Sequence, residues 1–126
     1  MSIIIPINPE EMEKEVSPYT FIEISFDSLI DKSKTKIKVD GEIAFIDSGF
    51  TSRFNGSFSS YEEQENSTLI TIDPNFDFEN GKSIKISVVT ETDDGQYIYK
   101  NYTFVTEESG PRITESNFSE GDILKN

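Results

Sequence analysis

The stretch SIKISVVTETDDGQYIYKNYTFVT, residues 83–106, decides the fold. In its first part Ile84, Ile86 and Val88 alternate with more polar residues, which is the period-two pattern of a strand with one buried face. Thr92-Asp93-Asp94-Gly95 then supplies an Asp-Gly turn, and a second alternating run follows it. The stretch therefore predicts a β-hairpin whose second strand turns three side chains toward the core, namely Ile98, Tyr102 and Phe104.

Further strands are predicted on both sides of this hairpin by the same alternation. Residues 20–26 form one half-buried strand, and residues 35–46 form two strands joined at Asp40-Gly41. An Asp-Gly pair between two alternating runs is the strongest short-range hairpin signal. Another strand covers residues 67–72 and ends at Asp73-Pro74, because proline interrupts a strand.

Two segments are predicted to depart from the strand pattern. The polar stretch 47–66 contains Gly49, Gly56 and many serines, so we predict a long loop there, with a short strand at residues 54–60. Residues 9–16 are the best candidate for a short helix, because they begin with proline and continue with acidic residues, which favour a helix start.

These elements predict an all-β fold, an immunoglobulin-like antiparallel β-sandwich of about seven strands with extended N- and C-terminal arms. We assign residues 1–15 to an N-terminal arm, residues 16–106 to the sandwich, and residues 107–126 to a C-terminal linker and tail. The composition after Thr106 supports the last boundary, since the remaining chain is mostly polar.

Composition excludes most catalytic chemistry. The chain has 126 residues with 11 basic and 24 acidic side chains, a net charge of −13, and no His, Cys or Trp. Without imidazole or thiol there is no Ser-His-Asp triad, no Cys-His dyad, no disulfide and no zinc site of the usual ligands. We therefore expect no enzyme activity, no catalytic residues, no cofactor and no metal. The negative charge opposes binding to nucleic acid or an anionic membrane, and no apolar run is long enough for a membrane helix.

The acidic residues leave two chemical alternatives open. Glu91, Asp93 and Asp94 are the best local cluster for Ca²⁺, but they lack EF-hand spacing, and we favour a solvated turn. Two opposed carboxylates in a cleft would suit a glycoside hydrolase, although nothing in the linear sequence places such a pair.

The order of several short motifs resembles bacterial Ig-like domains, which recur in bacteriophage tail and baseplate proteins and in bacterial surface adhesins. The resemblance covers residues 16–106. It begins with the first-strand run VSPYTFIEISF at residues 16–26. The motifs that follow in order are Ile30-Asp31-Lys32-Ser33, Val39-Asp40-Gly41, Phe54-Asn55-Gly56, Ile70-Thr71-Ile72-Asp73-Pro74, Phe78-Glu79-Asn80-Gly81-Lys82 and Tyr102-Thr103-Phe104.

This resemblance implies a non-enzymatic spacer, attachment or decoration module. The chain shows no repeat and no signal peptide, so we expect a virion component made in the host cytoplasm: a tail or baseplate protein or a capsid decoration protein. Its partners would be neighbouring virion structural proteins in a homo- or hetero-oligomeric assembly. The alternative is a cell-surface adhesion or carbohydrate-binding module, which predicts exposed aromatic side chains within residues 50–61; Tyr97 and Tyr99 are further candidates for stacking on sugars.

Candidate partner contacts are apolar side chains that the pattern does not place in the core. A free apolar end is costly unless something covers it, so the amino-terminal isoleucines are expected to add a strand to their own sandwich or to a neighbour's sheet. The phenylalanines of the polar stretch either contact a partner or hold a loop onto the sandwich. The candidates are Ile3, Ile4, Ile5, Ile7, Phe50, Phe54, Phe58, Tyr61, Phe118, Ile123 and Leu124.

Overall fold

Two antiparallel sheets make up the fold. The computed structural model describes residues 3–61 and 66–108, and within these residues it contains nine strands and one 3₁₀ turn at Lys32–Lys34. The strands are β1 (Ile4–Asn8), β2 (Ile22–Phe26), β3 (Lys36–Val39), β4 (Glu42–Ile46), β5 (Gly49–Phe50), β6 (Phe54–Tyr61), β7 (Ser67–Pro74), β8 (Ser83–Glu91) and β9 (Tyr97–Val105).

The strand order confirms the predicted all-β, immunoglobulin-like sandwich. One sheet has the order β1-β2-β7-β6 and the other has the order β5-β4-β3-β8-β9. This is the strand arrangement of a variable-type immunoglobulin domain, in which two extra strands extend one sheet. The chain crosses between the sheets from β2 to β3, from β5 to β6 and from β7 to β8. In the described part of the chain no helix is long and apolar enough to cross a membrane.

The core lies between the facing sheets. The alternation that predicted the strands also places their apolar side chains inside, since successive residues of a strand point to opposite faces. Phe45 and Phe104 supply the largest buried rings of the five-stranded sheet, and Phe26 does so for the four-stranded sheet. The fully buried aliphatic side chains are Ile22, Ile24, Ile37, Val39, Ile70, Ile72, Ile84, Ile86 and Val88.

The Asp40-Gly41 hairpin forms as predicted. Both residues have positive φ, 54° and 83°, which is the conformation a two-residue type I′ turn requires. The hairpin at residues 92–95 also forms, and it joins β8 to β9 over nine paired residues of each strand.

Within the polar stretch 47–66 the short strand predicted at residues 54–60 is confirmed as β6, but the loop predicted before it is wrong in part, because β5 forms there. A second tight turn at Asp47 and Ser48, with φ of 53° and 65°, returns the chain into the short strand β5. β6 then runs for eight residues beside β7. Gly56, whose flexibility suggested a loop, lies within β6. Glycine is required there, because a Cβ would overlap the carbonyl oxygen of Thr71 and the ring of Phe50.

Residues 9–16 do not form the predicted helix. Met12 and Glu15 have φ of 66° and 59°, in the left-handed region that a right-handed helix excludes. The segment instead runs beside β9, and Val16 forms a parallel bridge with Thr106. Residues 4–15, which belong to the predicted arm of residues 1–15, therefore contribute β1 and an edge segment to the sandwich, and burial of Ile4 and of the adjoining Val16 in the core stabilises both.

Candidate contact surface

The edge strands of the two sheets lie next to each other on one side of the sandwich. β1 borders the four-stranded sheet and β9 borders the five-stranded sheet. A groove of about 400 Å³ runs between them. Ile3 and Ile4 line it from one side, and Tyr97, Ile98 and Tyr99 line it from the other. Gln96 and Lys100 complete the lining, so the groove combines apolar and aromatic side chains with polar ones.

One half of β9 is covered by the chain itself. The N–H of Met12 donates to the carbonyl oxygen of Thr103 at 2.7 Å, and the N–H of Val105 donates to that of Glu13 at 2.9 Å. The N–H of Val16 donates to the carbonyl oxygen of Val105 at 3.1 Å. Residues 12–16 thus form a hydrogen-bonded edge segment beside residues 103–105. We call residues 103–105 the covered half of β9.

The other half of β9 has an open edge. Main-chain groups in a strand alternate between its two sides, and Thr103 and Val105 direct theirs away from β8. Tyr97, Tyr99 and Asn101 have the same parity, so their N–H and C=O groups also point outward. Among the described residues, residues 97–101 pair with β8 alone, and no main-chain hydrogen bond reaches these outward groups. We call residues 97–101 the free half of β9.

Exposed apolar side chains surround the free half. Tyr97 is 61% exposed and Tyr99 is 68% exposed, with their ring centroids 6.1 Å apart. Ile3, 51% exposed, lies across the groove. Large apolar side chains grouped on a surface are a recognised mark of a binding site.

The edge of β1 is less suited to strand pairing. The carbonyl oxygen of Ile3 accepts from the N–H of Asp27, so Ile3 directs its main chain toward β2, and Ile5 has the same parity. Ile4 and Pro6 therefore direct theirs to the open side. Proline has no N–H, and proline on an edge strand discourages pairing with another chain.

Acidic groups lie at both ends of the free half. The turn before Tyr97 carries Asp93 and Asp94, and the segment that covers the other half carries Glu11 and Glu13. Lys100 is the basic residue in the free half, and its Nζ lies 3.1 Å from Oε1 of Glu11. Lys100 thus offsets Glu11, and the two ends together carry four acids against this one base.

Tyr102 lies at the junction of the two halves. It is buried, and its hydroxyl has no hydrogen-bond partner within the described ranges. Burial raises the pKa of the Tyr102 hydroxyl well above its usual value, and the negative charge of Glu11 raises it further.

The structure separates the predicted contact residues into three groups. Ile4 and Phe54 are buried in the core, and Phe50 and Phe58 are half-buried against the ring of Phe45, because both lie on strands that close the sandwich. Phe118, Ile123 and Leu124 lie outside the described residues. The exposed candidates are Ile3, Ile5, Ile7 and Tyr61.

Of the predicted contact residues that the structure describes, Ile3 and Ile4 line the groove, across from Tyr97 and Tyr99. The alternation across β9 gave the outward direction of these tyrosines. The open main-chain edge beside them was not seen in the sequence, because no local pattern reports what covers a strand.

A second cavity, of about 290 Å³, is lined by several acids, including Asp27, Asp93 and Asp94. Oδ1 of Asp27 accepts from the N–H of Ile3 at 2.6 Å, and Oδ1 of Asp94 accepts from the hydroxyl of Thr92. The carboxylates of Asp27 and Asp94 are thus already hydrogen-bonded within the protein. Within residues 3–61 and 66–108, no group of three or more acids is placed to hold a metal ion.

Comparisons with known proteins support the fold and go no further. No family model matches the sequence, and no curated protein matches it. The solved structures that match include CopC from Methylosinus trichosporium OB3b, with a TM-score of 0.56 and 10% sequence identity. The match covers 87% of this chain and 99% of CopC. Likeness at this identity establishes a shared β-sandwich fold.

Proposed function

We propose that the chain is a non-enzymatic structural module of a bacteriophage virion, either a tail or baseplate component or a capsid decoration protein. It acts through protein–protein contacts at the groove and at the free half of β9. The observation that carries the proposal is an uncovered strand edge with exposed Tyr97, Tyr99 and Ile3 beside it. The ordered motifs over residues 16–106 supply the link to virion proteins.

The chemistry of this surface suits recognition of a protein chain. Outward N–H and C=O groups bind an extended main chain, and neighbouring apolar side chains add affinity and specificity. The exposed tyrosines supply large contact areas with few rotatable bonds, as in many protein interfaces.

The alternative function, carbohydrate binding, keeps one supporting observation. Tyr97 and Tyr99 are exposed and adjacent, and rings in this arrangement can stack on sugars. Of the aromatic side chains expected for it within residues 50–61, Tyr61 is exposed, whereas Phe50, Phe54 and Phe58 instead pack in or against the core. A glycan array with the Tyr97→Ser/Tyr99→Ser variant as control tests this function directly.

The experiment for the proposed function is mass spectrometry of virions purified from the source of this sequence. We expect the chain in the particles, and we expect Tyr97→Ser/Tyr99→Ser to reduce its incorporation about tenfold or more, because interface tyrosines are frequent hot spots. Tyr61→Ser is the matched control, since Tyr61 is also exposed but lies on β6. Absence of the chain from particles, or equal incorporation of all three forms, would overturn the proposal.

A further inference from the structure

The free half of β9 has the geometry of a site for strand addition. Tyr97, Tyr99 and Asn101 each present an N–H and a C=O in the plane of the sheet, directed away from β8. A strand edge of this kind pairs with any extended chain that reaches it. The groove beside it leaves room for the alternate side chains of such a chain.

The covered half shows that this edge accepts main-chain hydrogen bonds from a segment laid beside it. Residues 12–16 donate to Thr103 and Val105 and accept from Val105 over distances of 2.7–3.1 Å. An incoming segment at residues 97–101 would lie in line with residues 12–16 and use main-chain groups of the same parity. The covered half is thus an internal example of the contact expected at the free half.

The charge at the ends selects the kind of chain. Asp93 and Asp94 lie at one end of the free half, and Glu11 and Glu13 lie at the other. Because Lys100 offsets only Glu11, lysine or arginine at both ends of an added strand would be attracted by the excess of acids, while apolar or β-branched residues between them would face the tyrosines. Opposite charges at a contact favour the correct partner and disfavour like-charged ones.

A second copy of this chain fits the same edge poorly. Antiparallel pairing of two β9 edges about Tyr99 would set the Glu13 end of each copy against the Asp93-Asp94 turn of the other. The net charge of −13 adds a general repulsion between copies. The edge therefore favours another protein over self-pairing.

We propose that the free half of β9 binds an extended segment of another protein, with basic residues at its ends and apolar or β-branched residues between them, as an added β-strand. This deepens the proposed function by naming the chemistry of the virion partner. Binding is measured on the isolated chain, so its failure is distinguishable from failure of the virion assignment.

The test is an NMR titration of the isotope-labelled chain with a short synthetic peptide of alternating valine and threonine that carries a lysine at each end. We expect shifts of the amides of Tyr97, Tyr99 and Asn101. A matched peptide with glutamate at each end should bind about tenfold more weakly at low salt, and high salt should reduce the difference. Equal binding of both peptides, or shifts confined to another strand, would overturn the proposal.

Two variants of Tyr99 distinguish the contribution of its main-chain N–H to binding from that of its ring. Tyr99→Pro removes an N–H that does not pair with β8, so the sandwich should remain folded and peptide binding should be lost. Tyr99→Thr removes the ring but keeps the N–H, so it should weaken binding without abolishing it. Full binding by Tyr99→Pro would contradict strand addition.

Asp93→Asn/Asp94→Asn tests the charge at one end without altering the strand. It should weaken binding of the lysine peptide several-fold and leave the glutamate peptide no weaker. An unchanged preference for the lysine peptide would overturn the role of these acids. Sedimentation of the free chain tests for self-pairing. A dimer whose formation protects the amides of residues 97–101 would overturn the proposal, because a second copy of the chain would then occupy the edge.

Discussion

The two halves of β9 pair with β8 in the same way and differ in what lies on their outer side. The covered half is bordered by residues 12–16, which hydrogen-bond to Thr103 and Val105. The free half has exposed tyrosines and outward main-chain groups that no described residue satisfies. The carboxyl-terminal part of β9 thus contributes to the stability of the fold, and its amino-terminal part presents an open edge.

The path of the amino-terminal segment produces this difference. β1 stays paired with β2 as far as Asn8, and the chain reaches β9 only at Met12. The left-handed conformations of Met12 and Glu15 direct the segment along the covered half. Since β1 belongs to the other sheet, no described segment pairs with residues 97–101 on the side away from β8.

The largest expected effect is a difference in stability between a substitution in the covered half and one in the free half. Phe104→Ala should lower the free energy of unfolding by about 3–5 kcal/mol, because the Phe104 ring is fully buried and packs edge-on against Phe78. Tyr99→Ala should change it by no more than about 0.5 kcal/mol, because Tyr99 is an exposed surface residue. Urea unfolding of both variants measures the contrast, and similar losses would contradict the division.

Thr106, which follows the covered half, should also be important for stability. Its hydroxyl donates to the carbonyl oxygen of Glu79 at 2.6 Å and accepts from the N–H of Lys82 at 2.9 Å. Thr106→Val should cost about 1–3 kcal/mol, because it leaves buried groups unsatisfied. Thr106→Ser retains the hydroxyl and should lose less; an equal loss in urea unfolding would rule out the hydrogen bonds as the cause.

The hydroxyl of Tyr102, at the junction of the two halves, is expected to lower the free energy of unfolding slightly. Tyr102→Phe should raise the free energy of unfolding by about 1 kcal/mol, because it removes a buried hydroxyl without a described partner and keeps the ring. Thermal unfolding near neutral pH measures this gain. A loss of stability would show that the hydroxyl has a partner.

The same residue makes stability depend on alkaline pH. Burial raises the pKa of Tyr102 in the folded chain, so the unfolded chain loses this proton first, above about pH 10. The free energy of unfolding should therefore fall as pH rises beyond that value. Tyr102→Phe should show a shallower fall, and identical pH profiles of the two proteins would contradict the raised pKa.

The smallest effect concerns the ion pair that links the free half to the covering segment. Lys100→Gln removes the contact with Glu11 and should cost less than about 1 kcal/mol, because both side chains are partly exposed. The difference from the unsubstituted chain should vanish at high salt in urea unfolding. A loss that persists in salt would indicate a packing role for the Lys100 stem.

Local patterns were sufficient to predict the strands and the Asp-Gly hairpins, since alternation and turn chemistry act over a few residues. β5 was missed because the turn before it uses Asp47 and Ser48, without the glycine that marks type I′ turns. β6 was predicted as a short strand at residues 54–60, but the role of Gly56 in it was not, since glycine there permits a close approach of Phe50 and Thr71. These contacts join residues distant in sequence, and no local pattern reports them.

The contact surface was predictable only in part. Alternation places Tyr97 and Tyr99 on the outer face of β9, and the cost of exposing isoleucine pointed to the amino-terminal segment. The free edge depends on where residues 12–16 end along β9, and this is set by the pairing of β1 with β2. Because residues 9–16 were predicted as a helix, their position beside β9 was not predicted.

Amide hydrogen exchange along β9, measured by NMR on the isolated chain, tests the division of the strand most directly. Amides held by β8 or by residues 12–16 exchange slowly, whereas outward amides without a partner exchange quickly. We predict slow exchange at Ile98, Lys100 and Val105 and fast exchange at Tyr97, Tyr99 and Asn101. Uniform protection from Tyr97 to Val105 would show that the edge is already covered and would contradict the proposed binding surface.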